Sequence, residues 1–204
     1  MKLTVLTFVS VDGVMQAPGG PDEDRGGGFA RGGWLVPHFD EDMGRYVAEV
    51  FDQVDAFLLG RHTYDIFAGS WPKVTDPDDP VASRLNTLPK YVASTTLTTP
   101  PWGPTTVLSR DVPEEVAELK RRPGRELQVH GSGQLVRTLH EHDLVDEYRI
   151  AVFPVIVGDG RRLFADHGLP TNLSLVDSRT TGSGIAIHSY RPTGRPEYGT
   201  MEAG

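Results

Sequence analysis

Leu127-Gln-Val-His-Gly131-Ser-Gly133-Gln-Leu-Val136 is the stretch on which the reading of this chain turns. Leu127 and Val129 form a short apolar run that stops at two glycines one residue apart. Leu135, Val136 and Leu139 then recur at helical spacing. A buried parallel strand that ends in Gly-x-Gly and feeds a helix presents bare backbone N–H groups at a positive helix end, which is a seat for a phosphate or pyrophosphate. The plainer alternative is that Gly131 and Gly133 only permit a tight strand-to-helix turn. The dinucleotide fingerprint with three small residues is incomplete, because Val136 stands at its third position.

The rest of the chain limits what such a seat serves. Its 204 residues suit one domain with a sizeable core. A net charge of −8 argues against nucleic acid or an anionic membrane as partner. With no cysteine, disulfides, thiolate catalysis and Cys-ligated metals are excluded. No apolar run approaches the roughly 18–20 residues of a membrane span. Met1-Lys-Leu-Thr-Val-Leu-Thr-Phe8 lacks the features of a signal peptide, so a cytoplasmic protein is expected. No metal site is expected either. The seven histidines include no His-x-x-x-His pair, and His140 and His142 would point to different faces of a helix. No Gly-x-Ser-x-Gly nucleophile elbow occurs.

Upstream, Lys2–Val11 carries apolar residues on both faces and reads as a buried inner strand ending at Ser10-Val11-Asp12-Gly13. Asp12 either belongs to a turn or stands at a strand's carboxyl end, where ligands of open α/β sheets sit. Val14–Phe39 is a long glycine-rich loop, read as a mobile flap over a ligand or as simple disorder of Gly19–Gly33. Asp40 caps a helix through Met43, Tyr46, Val47, Val50, Phe51 and Val54, and is either only a cap or a carboxylate facing the pocket. Ala56–Gly60 is a second strand, and a helix starts at Arg61. Arg61 and Thr63 there suit phosphate oxygens, or serve as a surface charge and a cap.

Lys90–Ser94 is a third strand, ending in Ser94 and Thr95, whose hydroxyls contact a ribose phosphate or satisfy a turn. Thr105–Leu108 is a further strand. Asp111-Val-Pro-Glu114 resembles a capping box for the next helix. After the glycine stretch, Glu147–Val157 reads as a long strand with Pro154 as a bend or bulge. Leu173–Val176 and Ile185–Tyr190 close the sheet without an intervening helix, which implies an antiparallel edge. A domain over 1–191 and a polar, frayed tail over 192–204 are expected.

Taken in order, Val9-Ser-Val-Asp12-Gly13, Leu58-Leu-Gly60-Arg61-His62-Thr63-Tyr64, Lys90-Tyr-Val-Ala-Ser94 and Val129-His-Gly131-Ser132-Gly133-Gln134-Leu135 resemble the dihydrofolate reductase fold family. Pro154-Val-Ile-Val-Gly158-Asp-Gly160-Arg-Arg-Leu163-Phe164 is more similar to the reductase domain of bifunctional riboflavin-biosynthesis deaminase-reductases. The resemblance covers about Lys2–Tyr190. It implies a three-layer α/β fold with a mainly parallel central sheet, helices on both faces and an antiparallel C-terminal edge. It also implies an NADPH-dependent oxidoreductase, commonly a homodimer in the riboflavin branch. Carried onto this chain, Gly60, Arg61 and Thr63 would hold adenosine phosphates, and Ser94 and Thr95 would lie near the 2′-phosphate. Gly131, Ser132, Gly133, Gln134 and Leu135 would wrap the pyrophosphate and approach the nicotinamide. Gln134 stands where dihydrofolate reductases often carry a basic residue, which leaves NADH open beside NADPH.

The substrate implied is a small heterocycle resembling a pterin, a pyrimidine or a riboflavin precursor. Val11, Trp34 and Phe153 are the candidate lining residues, and Asp12 and Asp40 the candidate catalytic acids. Hydride transfer to C=N or C=O leaves a basic atom that needs a proton, and a carboxyl with a raised pKa, or water it positions, supplies one. A non-catalytic nucleotide-binding module and a partner-binding dimer of the same fold are the alternatives.

Overall fold

The computed structural model describes residues 1–164 and 166–201. Its strands are β1 (Lys2–Ser10), β2 (Val54–Gly60), β3 (Lys90–Ala93), β4 (Thr105–Leu108), β5 (Glu126–His130), β6 (Glu147–Phe153), β7 (Leu173–Thr180) and β8 (Ala186–Pro192). They form one sheet in the order β4-β3-β2-β5-β1-β6-β8-β7. All neighbours from β4 to β6 are parallel, while β8 runs antiparallel to both β6 and β7. The mainly parallel sheet with an antiparallel edge is therefore present. The helices are α1 (Glu41–Asp52), α2 (Arg61–Ser70), α3 (Pro80–Thr87), α4 (Val112–Arg121) and α5 (Gly133–Glu141).

Alternation along β1 sorts the layers. Leu3, Val5 and Val9 pack with α4 and α5, whereas Leu6 packs with α1, α2 and α3. Because both faces are covered, β1 and β2 carry apolar residues on both sides, and each buried Leu or Val contributes roughly 1.5–3 kcal/mol. β6 stops at Phe153, earlier than the expected Val157, because Pro154 has no N–H to continue the ladder. β7 and β8 are longer than their apolar cores suggested, since their outer rungs are polar and exposed.

Face one of β5 is polar. Glu126, Gln128 and His130 alternate beneath α1 as a buried hydrogen-bonded ladder. Arg149 grips Glu126 through both terminal nitrogens (2.6 and 2.9 Å), Gln128 donates to Glu126 (2.8 Å), and His130 Nε2 meets Gln128 Oε1 at 3.0 Å. Every member has a partner, which is the condition for burying such groups.

The carboxyl edge of the sheet is stepped. The last rung between β1 and β5 pairs Leu6 with His130, yet β1 continues beside β6 until Ser10 faces Phe153. Thr7–Ser10 therefore stand proud of β5 by about 13 Å at ~3.3 Å per residue.

Candidate functional site

Two strand-to-helix turns meet at the foot of this step. β2 and β5 are adjacent, so Gly60 and Gly131 end their strands side by side. Gly60 N–H donates to Ser132 Oγ (2.9 Å), Ser132 N–H donates to Thr63 Oγ1 (3.0 Å), and Ser132 Oγ donates to the His130 carbonyl (2.9 Å). Ser132 sits at φ +53, a left-handed conformation costing a non-glycine residue roughly 1 kcal/mol or more. These hydrogen bonds hold it there. Gly131, at φ +55, is also left-handed, and a Cβ on it would lie 3.4 Å from Thr63 Oγ1.

Capping separates these two helices from the others. Asp40, Asp79 and Asp111 accept first-turn amides at the starts of α1, α3 and α4. α2 begins after Gly60 and α5 after Ser132, and neither has a side-chain cap. Two positive helix ends thus lie together with no carboxylate capping either one. Thr63, expected as a cap in the plainer reading, instead joins the two turns.

The wall of the step is the free edge of β1. Val11 N–H donates to Val155 on the β6 side (2.9 Å), so by alternation the N–H and C=O of Phe8 point away from β6, above the end of β5. Among the described residues no strand lies beside β1 there. Met15 reaches across from the loop that follows β1, and its Sδ would lie 2.6 Å from a Cβ on Gly133. The Ser10 N–H and C=O are taken by the turn through Val14 and Gly13 (both 2.9 Å), so the Phe8 N–H and C=O are the groups this edge could offer a flat polar ligand above the two helix ends.

The other expected site residues fall into three groups. Ser94 and Thr95 follow β3 at the same edge, where Ala93 is level with Gly60. Ser94 Oγ accepts from the Thr96 and Leu97 amides (3.2 and 3.1 Å), so it closes a turn. Arg61 is held by Asp65 through Nε (2.8 Å to each carboxylate oxygen), leaving its terminal nitrogens to point elsewhere. Gln134 is exposed, while the Leu135 side chain is buried in the α5 layer and offers only its first-turn amide.

On the substrate side Val11 is exposed, but Trp34 and Phe153 are core residues, at 8% and 0% exposure. Their rings pack edge-to-face at 5.7 Å, and Trp34 Nε1 donates to the Gln16 carbonyl (2.8 Å). Both rings are thus packed in the core, and Phe153 has no surface left to line a pocket.

The raised-pKa acid is corrected as well. The Ser10 hydroxyl (2.6 Å), aided by the Val157 and Gly158 amides (3.0 and 2.8 Å), holds the Asp12 carboxyl at about 2 against the opposing effect of burial. Asp40 is likewise held at about 2 by the Met43 amide and then the Ser183 amide, so it ties α1 to the β7–β8 turn. Both are anionic at neutral pH and neither stores a proton.

The long loop over 14–39 is anchored rather than loose. Val14, Gln16, Ala17, Asp24, Phe29, Trp34 and Leu35 are buried in it. No local pattern signals the Ser132 bridge or Met15, because both depend on which strands become neighbours. A cavity of about 380 Å³ lies elsewhere, lined by His140, Tyr148, Phe164 and Leu173 among others. His140 there is satisfied by Tyr148 Oη and the Leu169 carbonyl, both at 2.8 Å, in keeping with a structural histidine. No metal-binding cluster exists among the described residues.

Fold and turns together define a dihydrofolate reductase-like α/β protein. A riboflavin-biosynthesis protein from Shewanella sp. PV-4 superposes with a TM-score of 0.71 at 21% identity, covering 95% of this chain and 99% of that one. Dihydrofolate reductase from Enterococcus faecalis, complexed with NADP(H), superposes with a TM-score of 0.59 at 10% identity, covering 94% and 96%. The chain belongs to the RibD C-terminal domain family, whose model matches residues 1–187. It is also 32% identical to the uncharacterized protein YyaP of Bacillus subtilis (strain 168) over 79% of this chain and 84% of that relative.

Proposed function

We propose that the protein is an NAD(P)H-dependent reductase of a small heterocyclic substrate, acting as a homodimer in the cytoplasm. One observation carries this reading: two helix ends without side-chain caps, at adjacent strands, are tied together by Ser132 and Thr63. Glycines at 60, 131 and 133 put no side chain of their own on that seat, which favours close contact of a diphosphate with the backbone once Met15 moves aside. Gly60, Arg61, Thr63 and the first-turn amides of α5 would hold the phosphates, with Ser94 and Thr95 toward the ribose. That the Enterococcus protein of similar fold is complexed with NADP(H) supports this reading.

When bound, the nicotinamide supplies the hydride. The chain's own part is to orient the ring against the free edge of β1 and to exclude water with the loop that carries Met15. Asp12 and Asp40, both anionic, act by positioning: Asp12 fixes the Val157–Gly158 turn beside Val11, and the proton comes from water. A second copy would cover β7, which is exposed along nearly its whole length, with Leu175 and Val176 bare.

The test is calorimetric titration of NADPH and NADH into the wild type and Gly131→Val. A valine at φ +55, facing Thr63, displaces the turn, so binding should be lost while the circular dichroism spectrum of the sheet is retained. Unchanged affinity in a folded variant would sink the assignment.

A further inference from the structure

We propose that Asp24 is the catch that holds the 14–39 loop shut across the two uncapped helix ends, with His62 and Arg161 as its anchor points. The inference rests on the cofactor reading only for what is trapped underneath. Two contacts lay the loop over the step. Near its start Met15 sits on Gly133, the first residue of α5. Further along, Asp24 Oδ2 meets His62 Nε2 at 2.9 Å, and His62 is the second residue of α2.

Asp24 is only 8% exposed, although it lies in the most glycine-rich part of the chain. Its carboxylate is fully engaged. Oδ1 accepts from the Gly26 amide (2.9 Å), and Oδ2 takes the Arg161 guanidinium together with His62. Gln16 secures the same segment from inside, donating to the Asp24 and Gly26 carbonyls (3.2 and 2.9 Å) and accepting from Arg161 N–H (3.0 Å). One acidic side chain thus joins the loop, the start of α2 and the segment after β6.

The neighbouring geometry suits opening. Gly27 and Gly28 have φ of +70 and +79, with open space where a Cβ would be, so the chain between Asp24 and the buried Phe29 can hinge with no side chain of its own in the way. The His62 and Arg161 side chains are themselves 65% and 52% exposed, which makes each link separately weak. A ligand entering the seat must part Asp24 from His62, and once inside it is held by their rejoining.

The experiment compares wild type, Asp24→Asn and His62→Gln. Tryptic cleavage after Arg31, whose sequence neighbours are unchanged, reports loop opening without ligand. NADPH dissociation by stopped flow reports retention. In Asp24→Asn both rates should rise about two- to fivefold, the range expected for losing weak, largely exposed links. A smaller rise is expected in His62→Gln, where the substitution is at the surface and the fold is safe; that variant carries the comparison if Asp24→Asn does not fold. Equal cleavage in all three overturns the catch. Faster cleavage with unchanged NADPH dissociation also overturns it, because the loop would then not lie across the seat. Faster cleavage in a protein that binds no NADPH upholds the catch and sinks the cofactor reading instead.

Discussion

His130 shows how far one side chain's surroundings can move its chemistry. Its ring lies 4.8 Å from Phe51 and 5.6 Å from Phe57, and burial, assisted by the Arg149 charge, pulls its pKa from 6.5 down to about 3. Between those values the unfolded chain binds a proton that the folded protein refuses. The sign follows from linkage: its effect is absent above pH 6.5, and stability is lost as pH falls toward 3. Urea unfolding at pH 7 and pH 5 should show this loss, and His130→Phe should flatten the pH slope over that interval. Asp12 and Asp40 act in a lower window, their stabilisation being present above 3.8 and lost as pH falls through about 2. Neither outcome was legible in the sequence. Asp12 was visible as an acid at a strand's end, but its low pKa comes first from the Ser10 hydroxyl and then from amides 145 and 146 residues away, which no local pattern shows.

The elements were easier to read than the contacts between them. Alternating strands and amphipathic helices follow from side-chain periodicity, so β1, β2, β5 and α1 were all locatable from apolar spacing, and Asp40 as a cap from its place before α1. Asp111 was also read correctly, but the reciprocal half of its box was not: Glu115, not Glu114, accepts a backbone N–H, from Arg110 at 3.2 Å. The stepped edge was invisible, because it comes from the register of β1 against two strands more than 115 residues downstream. At this scale α2 offers a direct test. Asp65 holds Arg61 by Nε alone, leaving the rest of the guanidinium for a phosphate. Arg61→Ala should weaken NADPH binding by about 1–3 kcal/mol, as for a lost charged hydrogen bond. An equal loss for NADH, measured by the same titration, would mean that Arg61 does not read the 2′-phosphate.

For the whole molecule, the uncovered part is the β7–β8 hairpin. Arg179 fastens it to the body by pairing with Glu49 (2.6 Å), yet Leu175 is 56% and Val176 44% exposed. A single chain gains nothing from apolar residues on an unpaired edge strand, whereas a pair of chains does. Light scattering should therefore report a dimer, and Leu175→Asp should shift it to monomer at micromolar concentration without unfolding it. A monomeric wild type would end that part of the proposal. No described helix is long and apolar enough to cross a membrane.

The aspartates that cap α1, α3 and α4 have one more consequence. If the uncapped starts of α2 and α5 form the proposed seat, simple oxyanions from a buffer would settle there on an acidic molecule. Sulfate or phosphate in the medium would then compete for it, and kinetics recorded in such salts would understate affinity relative to an amine buffer.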